Sequence, residues 1–271
     1  MIQLNSLGPR LATGGTAELY AWEPGRVLKL YWQGAALDAV EREAERTRIA
    51  RAAGAPAPAV FDVVLVEDRP GVVFERSDGP SMLQAIGEDP ARAEAVAQQL
   101  AGLHAALHER SGAGLPPQRE HLIRRINLGP LPARNKSPVL AAVRGLAQGA
   151  ALCHGDFHPG NVIMTTAGPR VIDWFDATAG NPAGDFARTC LMLQYSRLPG
   201  TAEAAARQAV ETVRQRFLDA YVEHYRALRP ATAAVLVEWF AAVAAARIAE
   251  PIPAQERTTL LRVIDSLLAQ D

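Results

Sequence analysis

The sequence predicts an α+β chain in two lobes: a small N-terminal antiparallel sheet with one helix, then a larger, mainly helical lobe. Three observations carry this. Short apolar runs alternate with turn signals through roughly the first 75 residues. One Ala-, Glu- and Arg-rich stretch interrupts them. Beyond Ser77-Asp78-Gly79-Pro80 the strands almost vanish and helical patterns take over. The expected division is 1–76, a hinge at 77–80, and 81–271.

The elements follow in order. Residues 17–22 and 26–32 flank Glu23-Pro24-Gly25, a turn signal, and read as a hairpin. Residues 36–53 read as a helix that stops at Gly54, with Pro56 and Pro58 beyond. Residues 60–66 and 71–75 read as strands around Glu67-Asp68-Arg69-Pro70, which completes an antiparallel sheet of about five strands. After the hinge, 91–110 and 138–148 read as helices, with a loop over 111–117. Val162-Ile163-Met164 and Arg170-Val171-Ile172-Asp173 flank Thr165-Thr166-Ala167-Gly168-Pro169, a second small hairpin. From Thr201 the chain reads as three helices, broken near Arg229-Pro230 and Pro251-Ile252-Pro253.

Composition narrows the function. A chain of 271 residues, 49% hydrophobic, can bury a full core. A net charge of −1 gives no electrostatic case for nucleic acid or an anionic membrane as partner. Cys153 and Cys190 do not make a disulfide framework and read as small buried apolar residues. Residues 1–6 lack a basic region followed by an apolar stretch, so no signal peptide is expected. The most apolar helix, around Val235 to Ile248, is interrupted by Glu238 and Arg247, so no membrane span is expected. A cytoplasmic protein is the expectation.

The chemistry concentrates in His154-Gly155-Asp156-Phe157-His158-Pro159-Gly160-Asn161 and in Val171-Ile172-Asp173-Trp174. Asn161 lies five residues after Asp156, and Asp173 twelve residues after Asn161. The second hairpin should bring Asn161 and Asp173 side by side. An amide oxygen beside a carboxylate makes a hard oxygen site, suited to Mg²⁺ that also binds phosphates. Asp156, on the loop just before, is placed to accept a proton from a hydroxyl. This is the layout of phosphoryl transfer.

Lys29 joins the set. It stands in a strand of Val27, Leu28, Leu30 and Tyr31. A strand lysine is usually on the solvent face, but a phosphate-pairing role suits a compact ammonium. The following helix favours that role. Val40, Glu43, Thr47 and Ala50 recur at spacings of three and four and share a face. If that face packs on the sheet, Glu43 turns inward and needs a cation. Lys29 is the available partner. Thr13-Gly14-Gly15-Thr16 precedes the strands, and its backbone N–H groups could approach a phosphate. Gly-Gly also marks ordinary turns. His104 and His108, four apart on one helix, lack a third ligand and read as a packed or solvated pair.

Together these segments resemble the signature of the aminoglycoside phosphotransferase and choline kinase group, relatives of the protein kinases. Val40-Glu41-Arg42-Glu43, Phe74-Glu75-Arg76 with Asp78-Gly79, and Gly180-Asn181-Pro182-Ala183-Gly184-Asp185 also look like family elements. The resemblance implies a bilobal protein-kinase-like fold and a phosphotransferase that uses ATP, or GTP, with Mg²⁺ on a small hydroxylated substrate. It implies Asp156 as the base or hydroxyl-orienting residue, and Asn161 and Asp173 as Mg²⁺ ligands. Lys29 would contact the α/β-phosphates and pair with Glu43. Gly14, Gly15 and Thr16 would lie over the phosphates. Backbone groups near Glu75 and Ser77, in a cleft at 76–79, would hold the adenine. His154 and Asp185 would support the catalytic loop, with His158 bracing the loop or touching substrate.

Other classes fit less well. A metallophosphoesterase needs downstream Asn-His ligands, and Gly160-Asn161-Val162 and Gly180-Asn181-Pro182 both lack the histidine. A silent nucleotide-binding regulator usually loses one of Lys29, Glu43, Asp156, Asn161 or Asp173, and all are present. A protein kinase needs a long activation segment, but only eleven residues separate Asp173 from Asp185. Residues 201–271, expected in the acceptor wall, carry nine acidic and eight basic residues, which does not demand a polycationic acceptor. Trp174, Phe175, Tyr195 and Trp239 could form a cation–π box, though aromatics at helical spacing are more often core.

Overall fold

The computed structural model describes residues 2–196 and 204–269. The strands and helices are β1 (Arg10–Thr13), β2 (Ala17–Ala21), β3 (Arg26–Tyr31), α1 (Leu37–Ala52), β4 (Val60–Val66), β5 (Arg69–Glu75), α2 (Met82–Glu88), α3 (Ala93–Leu107), α4 (Gln118–Leu128), α5 (Ala133–Gly145), β6 (Ala151–Cys153), β7 (Val162–Thr165), β8 (Gly168–Val171), β9 (Thr178–Gly180), α6 (Pro182–Tyr195), α7 (Ala204–Leu228), α8 (Pro230–Ala234), α9 (Leu236–Arg247) and α10 (Ala254–Leu268). The fold is α+β, with a five-stranded antiparallel sheet of order β1-β2-β3-β5-β4 near the N-terminus and mainly helices beyond it. Among the described residues, no helix is long and apolar enough to cross a membrane.

The chain packs as two compact units. One comprises 1–81 and 161–176, the other 82–160 and 177–271. The division differs from a break at the hinge alone, because β7 and β8 travel with the first unit. Met164 N–H donates to Pro80 O at 2.9 Å, and Val171 N–H donates to Pro56 O at 2.9 Å. Ile163 also bridges Ser81.

In the first unit the sheet carries apolar residues on both faces. Ala17, Tyr31, Val72 and Phe74 pack with Val40 and Ala44 of α1. Leu28, Leu30, Val66 and Val73 form the cluster on the other face with Ile2, Tyr20 and Trp22. Val40, Glu43, Thr47 and Ala50 are all buried, as their spacing predicts. The β4–β5 turn is tighter than the sequence suggests. β5 already begins at Arg69, because Glu67 adopts φ +55 and the reversal needs only Glu67-Asp68.

The second unit is built on α6 and α9. Ala183, Ala187 and Leu191 pack with Trp239, Val243 and Ala246, and α4, α5 and α10 complete the cluster. The helices α2, α4 and α6 have no counterpart in the sequence reading. In α4, only Leu122 and Ile126 mark the buried apolar face, too short a pattern to stand out among its charges. Helix α5 runs from Ala133 rather than Pro138, with the proline inside it. The expected helix start at Thr201 lies outside the described residues. The middle C-terminal helix is two, α8 and α9, separated at Val235. Trp239 and Tyr195 belong to this core, Trp174 is fully buried in the first unit, and Phe175 is 38% exposed.

Gly79 is held by geometry. Its φ is +145°, and a Cβ there would lie 2.1 Å from Met164 O. Replacement by Ala adds a strained conformation and a clash with backbone. Gly79→Ala should lose about 1–3 kcal/mol of stability, read as a lower urea midpoint with an unchanged slope.

Candidate functional site

In the first unit the sheet and α1 bring three charges together. Lys29 extends from the middle of β3, and Glu43 projects from the buried face of α1. Lys29 Nζ donates to Glu43 Oε1 at 2.7 Å. The same nitrogen donates to Asp173 Oδ1 at 3.1 Å, across 144 residues of sequence. Burial by itself would lower the Lys29 ammonium, but Glu43 and Asp173 outweigh it and hold it above its ordinary value. Burial pushes the Glu43 carboxyl up, to about 7, against the pull of Lys29. Its second oxygen, Oε2, is buried without a partner among the described residues, which accounts for that direction.

Asp173 follows β8 and has φ +65, an uncommon conformation for a residue with a side chain. Hairpin pairing carries the chain past Asn161, whose carbonyl accepts the Ile172 N–H at 2.9 Å. Asn161 and Asp173 therefore flank the open end of the β7–β8 hairpin. Asn161 is buried, and the Asp173 side chain is 38% exposed.

The Thr13–Thr16 segment is the reversal between β1 and β2. Gly14 N–H closes it on Ala17 O at 2.8 Å. Trp32 holds it from below: its indole N–H donates to Gly15 O at 3.0 Å, and its backbone N–H to Thr16 O at 3.1 Å. Gly15 has no positive φ, and a Cβ there would meet nothing within 4 Å. Nothing in the fold demands that glycine.

Glu75 and Ser77 differ. Glu75 N–H donates to Ala59 O, and its carboxylate accepts from Arg51, Ala59 N–H and Arg170. Its side chain thus joins α1, the approach to β4, and β8. The Ser77 hydroxyl is buried and has no hydrogen-bond partner among the described residues.

In the second unit the loop after β6 is gripped by α6. Asp185 is fully buried. Its Oδ2 accepts the His154 N–H at 2.6 Å and its Oδ1 the Gly155 N–H at 2.8 Å. His104 and His108, one turn apart on α3, bring their Nε2 atoms to Oδ2 at 3.1 and 3.2 Å. Their Nδ1 atoms meet the hydroxyls of Tyr221 and Tyr225 on α7, at 2.6 and 2.7 Å. Burial opposes the Asp185 charge, but the imidazole bonds hold its carboxyl well below the usual range. Burial lowers His104 to about 3, so its ring is neutral. The His154 ring accepts the Asp156 N–H at 3.2 Å.

Asp156 sits between a cation and an imidazole. Arg188 Nη2 donates to Oδ1 at 3.2 Å, and His158 Nε2 stands 3.6 Å from Oδ2. The other ring nitrogen of His158 accepts the Gly160 N–H at 3.0 Å. Burial would raise Asp156, yet His158, Arg188 and His154 together hold it well below the usual carboxylate range. Arg188 is absent from the sequence reading, as are the roles of His104 and His108. The three-residue step from Asp185 to Arg188, one helical turn, is the signal that could have found it.

The described phosphotransferase enzyme family model matches residues 15–234. No curated protein matches the chain. Among solved structures, a thermostable mutant of aminoglycoside phosphotransferase APH(4)-Ia, in ternary complex with AMP-PNP and hygromycin B, aligns with TM-score 0.70 at 14% identity, covering 97% of this chain and 93% of that one. Amicoumacin kinase hAmiN, in complex with AMP-PNP, Ca²⁺ and Ami, aligns with TM-score 0.63 at 15% identity, covering 99% and 90%. A choline/ethanolamine kinase family protein from Mesorhizobium loti aligns with TM-score 0.57 at 18% identity, covering 96% and 88%. At such identities the likeness is one of fold.

The buried His104 makes stability depend on pH. Its folded value, about 3, lies below the ordinary value of 6.5. Between these the unfolded chain binds the extra proton, so stability falls as pH falls through that window. The urea midpoint of the wild type should drop from about pH 6.5 to 4.5, with a slope approaching ~1.4 kcal/mol per pH unit more than that of His104→Asn. Equal slopes would show that the ring charges in the folded state.

Proposed function

The chain belongs to the phosphotransferase enzyme family and is a small-molecule kinase with an alcohol group as acceptor, and on that premise we propose that it moves the γ-phosphate of ATP or GTP, with Mg²⁺, to a hydroxyl of a small molecule. The observation that carries this reading is Lys29, held 2.7 Å from Glu43 and 3.1 Å from Asp173. A lysine fixed between two carboxylates cannot swing away, and its remaining donor capacity serves a phosphate oxygen.

Asn161 and Asp173 suit Mg²⁺. Both offer hard oxygen donors, and one Asp173 oxygen is turned to Lys29 while the half-exposed carboxylate keeps another. When bound there, the ion would neutralise charge on the phosphate oxygens. Gly15 and Thr16 offer N–H groups to the phosphates, and the glycine there has a use in close approach that the fold itself does not explain. Ser77, whose buried hydroxyl has no partner among the described residues, offers a donor and an acceptor to a purine edge.

Asp156 orients the acceptor hydroxyl and takes its proton. Its depressed carboxyl makes it a weak base in the ground state. That fits a loose transition state, in which the nucleophile gains acidity only as the new P–O bond forms. His154 and Asp185 hold the loop that carries it. The acceptor is an aminoglycoside-like antibiotic, a choline-like amino alcohol or another hydroxylated metabolite, classes suggested by the proteins it resembles.

The test begins with hydroxylated metabolites and antibiotics screened for stimulated ADP or GDP release. With an acceptor in hand, Asp156→Asn should lower kcat by ~10²–10⁴-fold with little change in nucleotide affinity. Asp173→Ala should abolish Mg²⁺-dependent turnover while the protein stays folded. Normal turnover in Asp173→Ala would overturn the metal assignment. A rate in Asp156→Asn within about threefold of wild type would move the base elsewhere, with His158 the next residue to examine.

A further inference from the structure

Helix α6 grips the loop at 154–157 residue by residue, and Arg188 is the member of that grip that reaches the Asp156 side chain. Asp185 takes the N–H groups of His154 and Gly155. One turn later Arg188 takes the acceptors: its Nε donates to Gly155 O at 2.9 Å and its Nη2 to Asp156 Oδ1 at 3.2 Å. Thr189 Oγ1 then donates to Phe157 O at 2.8 Å. A carboxylate and a guanidinium on one helix face thus bind donors and acceptors of the same short loop.

Arg188 is itself anchored. Its side chain is 9% exposed, and its third nitrogen lies 2.7 Å from Glu250 Oε1. Glu250 is gripped by Arg125 at 2.7 Å and by Arg247, and Arg247 reaches the buried Glu256 at 3.0 Å. This ladder ties α6 to α4, α9 and α10. A buried guanidinium needs its charge paired, and Glu250 already does that. Its two further bonds, to Gly155 O and Asp156 Oδ1, are not required for that purpose. They fix the peptide and the side chain of consecutive residues.

We propose that Arg188, held by Glu250, is a positioning residue for the reaction: it pins Oδ1 of Asp156 and so presents Oδ2, on the His158 side, to the acceptor hydroxyl. The inference rests on the role proposed for Asp156. Among the described residues, the charged and titratable groups shown against that carboxylate are Arg188 from α6 and His154 and His158 from its own loop. Arg188 is the permanent cation among them. Lysine in its place keeps a charge but cannot contact Gly155 O and Asp156 together while holding Glu250.

The test needs no acceptor. In full-length protein with ¹³C-labelled aspartate, the Asp156 carboxyl signal is assigned by its loss in Asp156→Asn and followed from about pH 8 to pH 3. Thermal melts and Mg²⁺·AMP-PNP affinity are measured alongside. In Arg188→Gln the carboxyl should bind its proton tightly enough to titrate inside that window, where the wild-type carboxyl stays ionised throughout. Arg188→Lys should fall between the two, and AMP-PNP affinity should hold within about threefold, a smaller change than loss of one phosphate contact brings. An Asp156 titration in Arg188→Gln identical to wild type would overturn the proposal. If Arg188→Gln fails to fold, Arg188→Lys decides: a raised titration supports it and an unchanged one ends it. Collapse of AMP-PNP affinity in either folded variant would also overturn it, by making Arg188 part of the nucleotide site. The role of Asp156 as base stands or falls on turnover in Asp156→Asn, so the two failures are separable.

Discussion

An ionised carboxylate with no access to water dictates much of the second unit. Asp185 is fully buried, and a charge so placed is tolerable only if every lone pair is used. Two peptide N–H groups and two imidazoles meet it. The histidines must then stand one turn apart on α3, and their far nitrogens must find partners too. Tyr221 and Tyr225 on α7 supply them. The chain of demands runs from α6 through α3 to α7, and its product is a loop whose N–H groups at His154 and Gly155 are both held by Asp185.

The first unit solves a similar problem with the opposite sign at its centre. Lys29 is a buried cation between two carboxylates rather than a buried anion among donors. The arrangement is deliberately unbalanced: Glu43 keeps one buried oxygen without a partner. Two carboxylates around one ammonium, one of them partly open to solvent, favour arrival of further positive charge. A divalent cation carried by a polyphosphate would supply it, with the remaining donor capacity of Lys29 turned to the phosphate. Conserving the ion pair in the absence of ligand keeps α1 and the β7–β8 hairpin registered on the sheet, so the donors are in place beforehand.

The parts of this machinery that the sequence made legible share a property. Val40, Glu43, Thr47 and Ala50 were readable because helical periodicity is local, and it turned Glu43 inward without any long-range information. Asn161 and Asp173 were readable because a hairpin brings near neighbours together. Helix α4 was not, since its charged face hides two apolar positions. Neither was Glu250, whose partners Arg125, Arg188 and Arg247 are scattered along the chain. His104 and His108 show the boundary best. Their spacing placed them on one face, but only the fold could say that the face meets Asp185 rather than water.

The charge state of Asp156 links this architecture to the chemistry. A carboxylate surrounded by Arg188, His158 and His154 gives up basicity. For a reaction that needed early proton removal that would be a handicap. Phosphoryl transfer through a loose transition state makes no such demand, because the attacking hydroxyl becomes acidic only late. What matters earlier is the direction of the hydroxyl lone pair, and direction is what a carboxylate held by Arg188 would provide. On the roles proposed for Asp156 and Arg188, the same cation that weakens the base improves the aim. Glu250 completes the logic, since a guanidinium paired through one nitrogen to Glu250 and through another to Asp156 is held by both anions.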